Sequence, residues 1–282
     1  MGRFRSTVLT TGALLTAVLP LTAPTAAPVT RADTPLPADV PTVTQEPGHP
    51  LILYPRRAGT AAAYCPQGTR PTGGGATVQT DPAAAVFLYE SAPLSNGWRV
   101  RAYNKSDEAH TVHPRVICTT DPSVTQQIGP DVPVQPGEGA EYSTAECGTQ
   151  YTVGGGGQAG DLTFLSMLDV PGYPMARRWN ARAKYTDFDP DAPPSFVRAV
   201  AACADTQPTY GRSDTSKLAP DAVGSAHAEC PAGKVPLGGG ASGSPDVLFN
   251  ESGPTATGWT VRATNTDHFG PRSLFVTVIC TA

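Results

Sequence analysis

Six cysteines and three tryptophans in this 282-residue chain fall into one order, written three times. Copy one opens at Cys65-Pro66-Gln67-Gly68, reaches Gly73-Gly74-Gly75-Ala76, passes Glu90-Ser91-Ala92-Pro93 and Gly97-Trp98-Arg99-Val100-Arg101-Ala102, and closes at Val116-Ile117-Cys118. Copy three runs from Cys230-Pro231-Ala232-Gly233 through Gly238-Gly239-Gly240-Ala241, Glu251-Ser252-Gly253-Pro254 and Gly258-Trp259-Thr260-Val261-Arg262-Ala263 to Val278-Ile279-Cys280. Copy two is looser. It has Cys147-Gly148, Gly154 to Gly157, Leu168-Asp169-Val170-Pro171, Trp179-Asn180-Ala181-Arg182-Ala183 and Cys203, and lacks the Pro after its first Cys and the Gly before its Trp. First cysteines lie 82 and 83 residues apart, and the two cysteines of each copy are separated by 53, 56 and 50 residues. A period this constant makes the repeat the unit from which the fold is built.

Within each copy the residue pattern is that of strands. Trp98, Val100 and Ala102 alternate with Arg99, Arg101 and Tyr103, and the same phase recurs at Trp179 and at Trp259. A period of two buries one face and exposes the other. Further strands are expected around Val86–Tyr89, Thr163–Leu168 and Val247–Asn250, at the close of each copy, and along the Gly-rich string, giving four to five per copy. With 29 Gly and 30 Pro, the two residues make up about a fifth of the chain, which suits short strands punctuated by turns. The expectation is an all-β protein of three tandem, disulfide-closed antiparallel modules. They are packed about a pseudo-threefold axis or stacked in line.

Repetition also selects a cysteine pairing. Six cysteines allow 15 connectivities, but a module duplicated as a unit must carry its own bridge. That gives Cys65–Cys118, Cys147–Cys203 and Cys230–Cys280. Loops of this length are worth roughly 4 kcal/mol per bridge in the chain-entropy account. Metal ligation fits poorly, since no CxxC pair occurs, and no metal or cofactor is expected.

The ends and the charge bound the setting. Arg3 and Arg5 precede an uncharged apolar run from Thr7 to Leu21, followed by small residues at Ala23, Ala26, Ala27 and Ala32, the layout of an export signal. Residues 1–32 are therefore read as that signal, cleaved between 23 and 32, and 33–50 as a Pro-rich disordered leader. Modules follow at 51–120, 139–204 and 223–282, with linkers at 121–138 and 205–222. Loss of Arg3, Arg5 and Arg31 takes the net charge from −4 to −7. An acidic chain lacks the basic surface that nucleic acid demands. The expected setting is secreted, without membrane association once the signal is removed, and with an extracellular ligand as partner.

The string Cys-Pro-x-Gly, then Gly-Gly-Gly, a later Gly-Trp and a closing Cys resembles repeats in exported actinobacterial proteins that carry no assigned activity. Copies one and three carry it well, and copy two departs at Gly148 and Arg178. The threefold, strand-only logic is also similar at the level of fold to β-prism proteins, among them egg vitelline-membrane outer-layer protein and plant lectins of that shape. Such a likeness implies architecture and says nothing of activity.

Candidate chemistry is sparse. The Gly runs lack the Lys-Ser/Thr and following helix of a phosphate loop, and fit tight backbone crossings or bulges instead. Arg101, Arg182 and Arg262 recur at one position, opposite the Trp face, with Glu90, Asp169 and Glu251 as recurring carboxylates. They make either cross-strand ion pairs or a repeated binding site with Arg as fork donor and the carboxylate as acceptor. The tryptophans serve as core anchors or as sugar-stacking platforms. His110 and His113 make an H-x-x-H, whose side chains point to opposite faces of a strand, and His227 and His268 have no counterparts. No G-x-S-x-G elbow occurs, and no catalytic residue is assigned. Asn104-Lys105-Ser106 and Asn250-Glu251-Ser252 match glycosylation sequons. The expected function is extracellular binding or surface structure, with carbohydrate or cell-envelope polymer as ligand. The alternatives are a protease inhibitor using the Pro-bounded stretches after Glu90 or Glu251, and a hydrolase without a recognisable motif.

Overall fold

The computed structural model describes residues 41–79, 85–136, 141–160, 163–169, 177–185, 195–213 and 215–282. Among them each copy contributes seven strands. Copy one supplies β1 (Val43–Pro47), β2 (Leu51–Leu53), β3 (Ala58–Tyr64), β4 (Arg70–Gln79), β5 (Val86–Leu94), β6 (Gly97–Asn104) and β7 (His110–Thr119). Copy two supplies β8 (Thr125–Ile128), β9 (Val132–Val134), β10 (Glu141–Glu146), β11 (Tyr151–Ala159), β12 (Thr163–Asp169), β13 (Arg178–Tyr185) and β14 (Ser195–Ala204). Copy three supplies β15 (Thr209–Arg212), β16 (Ser216–Leu218), β17 (Val223–Glu229), β18 (Pro236–Gly243), β19 (Val247–Pro254), β20 (Gly258–Asn265) and β21 (Arg272–Cys280). The chain is all-β, and its three antiparallel sheets have a pseudo-threefold arrangement.

No sheet belongs to a single copy. Sheet I runs β1-β7-β4-β19-β20-β17 with β2 also on β7, joining copies one and three. Sheet II runs β3-β6-β5-β11-β14-β8 with β9 on β14, joining copies one and two. Sheet III runs β10-β13-β12-β18-β21-β15 with β16 on β21, joining copies two and three. Each copy is therefore split into a four-stranded half and a three-stranded half that lie in different sheets. Around the ring, each three-stranded half extends the neighbour's four-stranded half.

The expected strand count is exceeded because segments read as leader and linkers pair. Within 33–50, the strand β1 lies against β7; within 121–138, β8 and β9 lie against β14; within 205–222, β15 and β16 lie against β21. These short strands cover edges of β7, β14 and β21 that would otherwise expose unpaired N–H and C=O groups. Residues 1–32, and 33–40 of the leader, lie outside the described residues.

The disulfides follow the repeat and tie the sheets together. Cys65–Cys118, Cys147–Cys203 and Cys230–Cys280 have Cα separations of 5.7, 5.5 and 5.8 Å, the usual span of such a bridge. Cys65 follows β3 of sheet II and Cys118 belongs to β7 of sheet I, so the first bridge joins those sheets. By the same logic the second joins III to II and the third joins I to III. Three disulfides fit an oxidising compartment. Among the described residues no helix is long and apolar enough to cross a membrane.

The first three glycines of each run have three separate duties. A Cβ on the first would strike the other copies' runs: Gly73 would place one 2.6 Å from Gly238 Cα, and Gly238 one 2.6 Å from Gly154 Cα. The first glycines thus let three backbones meet at the axis. The second glycines, Gly74, Gly155 and Gly239, lie under Trp98, Trp179 and Trp259, with a Cβ falling 2.4 to 2.5 Å from the indole. The tryptophans are 0, 0 and 1% exposed and belong to one continuous core with Val100, Val116, Val261 and Val278. They are anchors, and none stands as a platform. The third glycines face the neighbouring copy: a Cβ on Gly75, Gly156 or Gly240 would lie 1.8, 2.1 or 2.0 Å from Ser252, Ser91 or Leu168 O.

Candidate functional site

Where two copies meet within a sheet, strand pairing is brief. Junction I pairs Ser252 with Ala76, junction II pairs Ser91 with Gly157 and Glu90 with Gln158, and junction III pairs Leu168 with Ala241. The recurring arginines and carboxylates of the sequence sit beside these junctions, on the face turned away from the Trp core. Position is set by a bulge. Register breaks between Leu88 and Glu90, between Phe249 and Glu251, and between Leu165 and Met167. After each bulge Glu90 stands opposite Arg101, Glu251 opposite Arg262, and Met167 opposite Arg182.

This corrects the reading of copy two. Asp169 stands opposite Asn180, two residues beyond the carboxylate position, and the true counterpart is Met167. The bulge recurs in all three copies and leaves the count unchanged; Met167 lies twelve residues before Trp179, against eight from Glu90 to Trp98 and from Glu251 to Trp259, so the acidic residue next to Pro171 falls late. Arg182 instead donates from Nε to Ser166 Oγ at 3.2 Å and from its terminal nitrogen to Gly243 O across junction III. Burial pushes its pKa down, against the pull of the Asp246 charge. Asp169 itself is buried. The Arg–carboxylate pair is thus a feature of two junctions.

Those two differ. At junction I, Glu251 Oε2 accepts the Val78 N–H at 2.8 Å, so the carboxylate occupies a backbone donor just where inter-copy pairing ends. Thr260 and His113 flank the row. At junction II the equivalents are arginines. Arg99 Nε donates to Glu90 Oε1 at 2.6 Å, and an Arg101 terminal nitrogen lies 3.9 Å from Glu90 Oε2. Across the junction, Arg198 holds Gln158 Oε1 at 3.2 Å and grips both oxygens of Asp131. Arg101 also lies over the Tyr89 ring at 4.5 Å, and Arg198 over Phe196 at 5.5 Å.

Glu90 is 2% exposed, while Arg99, Arg101 and Arg198 are 38, 34 and 33% exposed. Burial pushes the Glu90 pKa up, and the hydrogen bond and charge of Arg99, with the charges of Arg101 and Arg198, oppose that rise. The bond to Arg198 holds Asp131 below the usual carboxylate range. Three guanidinium groups thus gather around one buried and one rim carboxylate, leaving one positive charge in excess. Tyr64, which is exposed, and half-buried Tyr103 share this outer face, since Tyr64 and Ala62 alternate with the inward Ala63. The arginine, carboxamide, carboxylate and phenol groups can together bind a polyhydroxylated anion by charge-assisted, forked hydrogen bonds.

Other candidates resolve into structure. Ser106 Oγ lies 2.9 Å from His110 Nε2, but the hydroxyl also meets Asn104 Oδ1 at 2.8 Å within a hairpin network. Asn265 builds the same hairpin in copy three with Asp267 and Arg272 in the places of Ser106 and His110, donating to Leu218, Ala219 and Gly270 carbonyls. His113 bonds Gln79 Oε1 and is separate from His110; His268 meets Asp221. Both sequon asparagines are fully buried: Asn104 Nδ2 serves three carbonyls and Asn250 Nδ2 the Val86 carbonyl. The stretches after Glu90 and Glu251, read as inhibitory loops, run inside β5 and β19 with Pro93 and Pro254 buried.

Arg101 and Glu90 were legible in sequence as a repeated pair. Arg99 and Arg198 were missed, because what marks them is their replacement in the other copies. Arg99 becomes Asn180 and Thr260; Arg198 becomes His113 and Phe275. The sequence matches no protein-family model and no curated protein.

Proposed function

We propose that the protein is a secreted extracellular binding protein whose ligand is an acidic carbohydrate or related anionic cell-envelope polymer, held on the outer face of sheet II. One observation carries this reading. Junctions I and III close without cations at the positions of Arg99 and Arg198, so neither arginine is required for the fold. Their presence on one face, beside a buried carboxylate and exposed tyrosine, supports recognition of a ligand that offers both anionic groups and hydroxyls. A hydrolase or protease-inhibitor reading has no comparable observation behind it.

The test is binding of the mature secreted protein to immobilised polygalacturonate, polyglycerol phosphate and a neutral glucan. Acidic polymers are expected to bind, with affinity falling as salt rises, since partly exposed charges are screened. Replacing Arg99 and Arg198 together by Gln should weaken binding at least tenfold, and Arg182→Gln should leave it unchanged. Equal retention of the neutral glucan, or no loss in the double variant, would overturn the assignment.

A further inference from the structure

A concavity lies away from the arginine face, at the end of the ring where the disulfides are, and its lining repeats three times. The floor is made by the bulged residues of the glycine strands, Thr72, Val153 and Leu237, each left out of register just before the first glycine. The walls are Thr119, Ala204 and Thr281, the residues that follow the closing cysteines, and above them Val43, Val124 and Pro208. With Pro41, Asp121, Thr206 and Ala282 they line an open cup of about 230 Å³. The contacts of Gly73, Gly154 and Gly238 close the space from below.

The lining is apolar in effect as well as in composition. Thr72 Oγ1 donates to Leu237 O at 2.6 Å, Thr119 Oγ1 accepts from Asp121 N at 3.2 Å, and Thr281 Oγ1 accepts from Val235 N at 3.3 Å. Asp121 is the one carboxylate side chain of the lining, and it bonds the amide and hydroxyl of Ser123 at 2.9 and 2.7 Å; Ala282, also in the lining, has its main-chain oxygen bonded by Lys234 Nζ. Nor does the backbone demand small side chains here. Val153 has Leu237 as its counterpart and Ala204 has Thr281, so larger residues fit these positions, yet among the described residues the space is left open.

We propose that this cup is a binding site for a small neutral hydrocarbon-like ligand, a branched alkyl or single-ring group. An apolar cavity of about 150 Å³ holds benzene; the same scaling gives about nine carbon atoms here. The site is independent of the arginine face and of the function assigned to it. Cumene is a suitable probe, titrated into the mature chain with methyl-labelled Val and Leu and followed by NMR. Saturable shifts and intermolecular NOEs are expected at Val124, Val153 and Leu237. Ala204→Phe should weaken the binding at least tenfold, while the Arg99→Gln, Arg198→Gln double variant should leave it unchanged. If Ala204→Phe does not fold, the NOEs in the parent protein decide the matter alone. Absence of those NOEs at saturating cumene, shifts scattered over the surface, or full binding by a folded Ala204→Phe would overturn the proposal.

Discussion

Junctions I and II are built on the same backbone plan, with a third glycine against the neighbour's carbonyl, a bulge, and a glutamate opposite an arginine. At junction I the glutamate turns to the backbone and takes the Val78 N–H. At junction II it turns to side chains and collects Arg99 and Arg101. One position therefore serves closure in one place and charge assembly in the other. The comparison separates what the ring needs from what has been added to it, and substitutions at equivalent positions can test each half of that statement.

The largest effect is expected where the two junctions are alike. Gly75→Ala and Gly156→Ala each drive a Cβ into a fixed carbonyl oxygen and should cost about 3 kcal/mol or more. Urea denaturation should give similar losses for both; a difference of more than about 1 kcal/mol would mean that the junctions are not closed alike. Next comes the glutamate. Glu251→Ala leaves the Val78 N–H without its acceptor and should cost about 2 kcal/mol. Glu90→Gln keeps a carbonyl acceptor for Arg99 and should cost clearly less. Equal losses would erase the distinction drawn here.

A smaller change is expected from transplanting junction I onto junction II. Arg99→Thr with Arg198→His should shift unfolding free energy by about 1 kcal/mol, because the Arg198–Asp131 pair is partly exposed and solvent-screened and buried Glu90 keeps Arg101 when Arg99 is gone. The same exchange should remove binding to acidic polymer. The smallest effect concerns pH. Because the Glu90 pKa is raised in the folded state, its stabilising contribution is present at acid pH and is lost as pH rises through that raised pKa. Glu90→Gln has no such loss, so the stability gap between the two proteins should move in favour of Gln from about pH 4.3 upward. A gap that stays constant, or moves the other way, would mean that burial does not dominate at Glu90.

Much of this fold was readable from residues alone, and the reasons are local. Alternation at Trp98, Trp179 and Trp259 named the buried face, and spacing named the cysteine partners. What the sequence could not show is which strands share a sheet. Pairing of β4 with β19 joins Ala76 to Ser252, and nothing near either residue points to the other. The short strands Thr125–Ile128 and Ser216–Leu218 escaped notice because they are brief and mostly half-exposed or exposed, and carry little hydrophobic pattern. Asp169 is out of place because the connection from β12 to β13 is four residues longer than its counterparts, so Pro171 does not stand where Pro93 and Pro254 do. The site was legible as a pair of residue types and illegible as a place. Its distinguishing arginines lie on strands β6 and β14, from different copies, and meet only through a junction one or two residues wide.

The sharing of sheets also fixes a number. In a solenoid each unit leaves an open end, and arrays lengthen by adding units. Here the last copy returns its three-stranded half to the first, so sheet I closes what sheets II and III began. Every half is matched in such a closed ring, and the ring is held at three where Gly73, Gly154 and Gly238 leave room for three backbones to meet. A change in copy number would therefore have to rebuild that axis as well as the sheets.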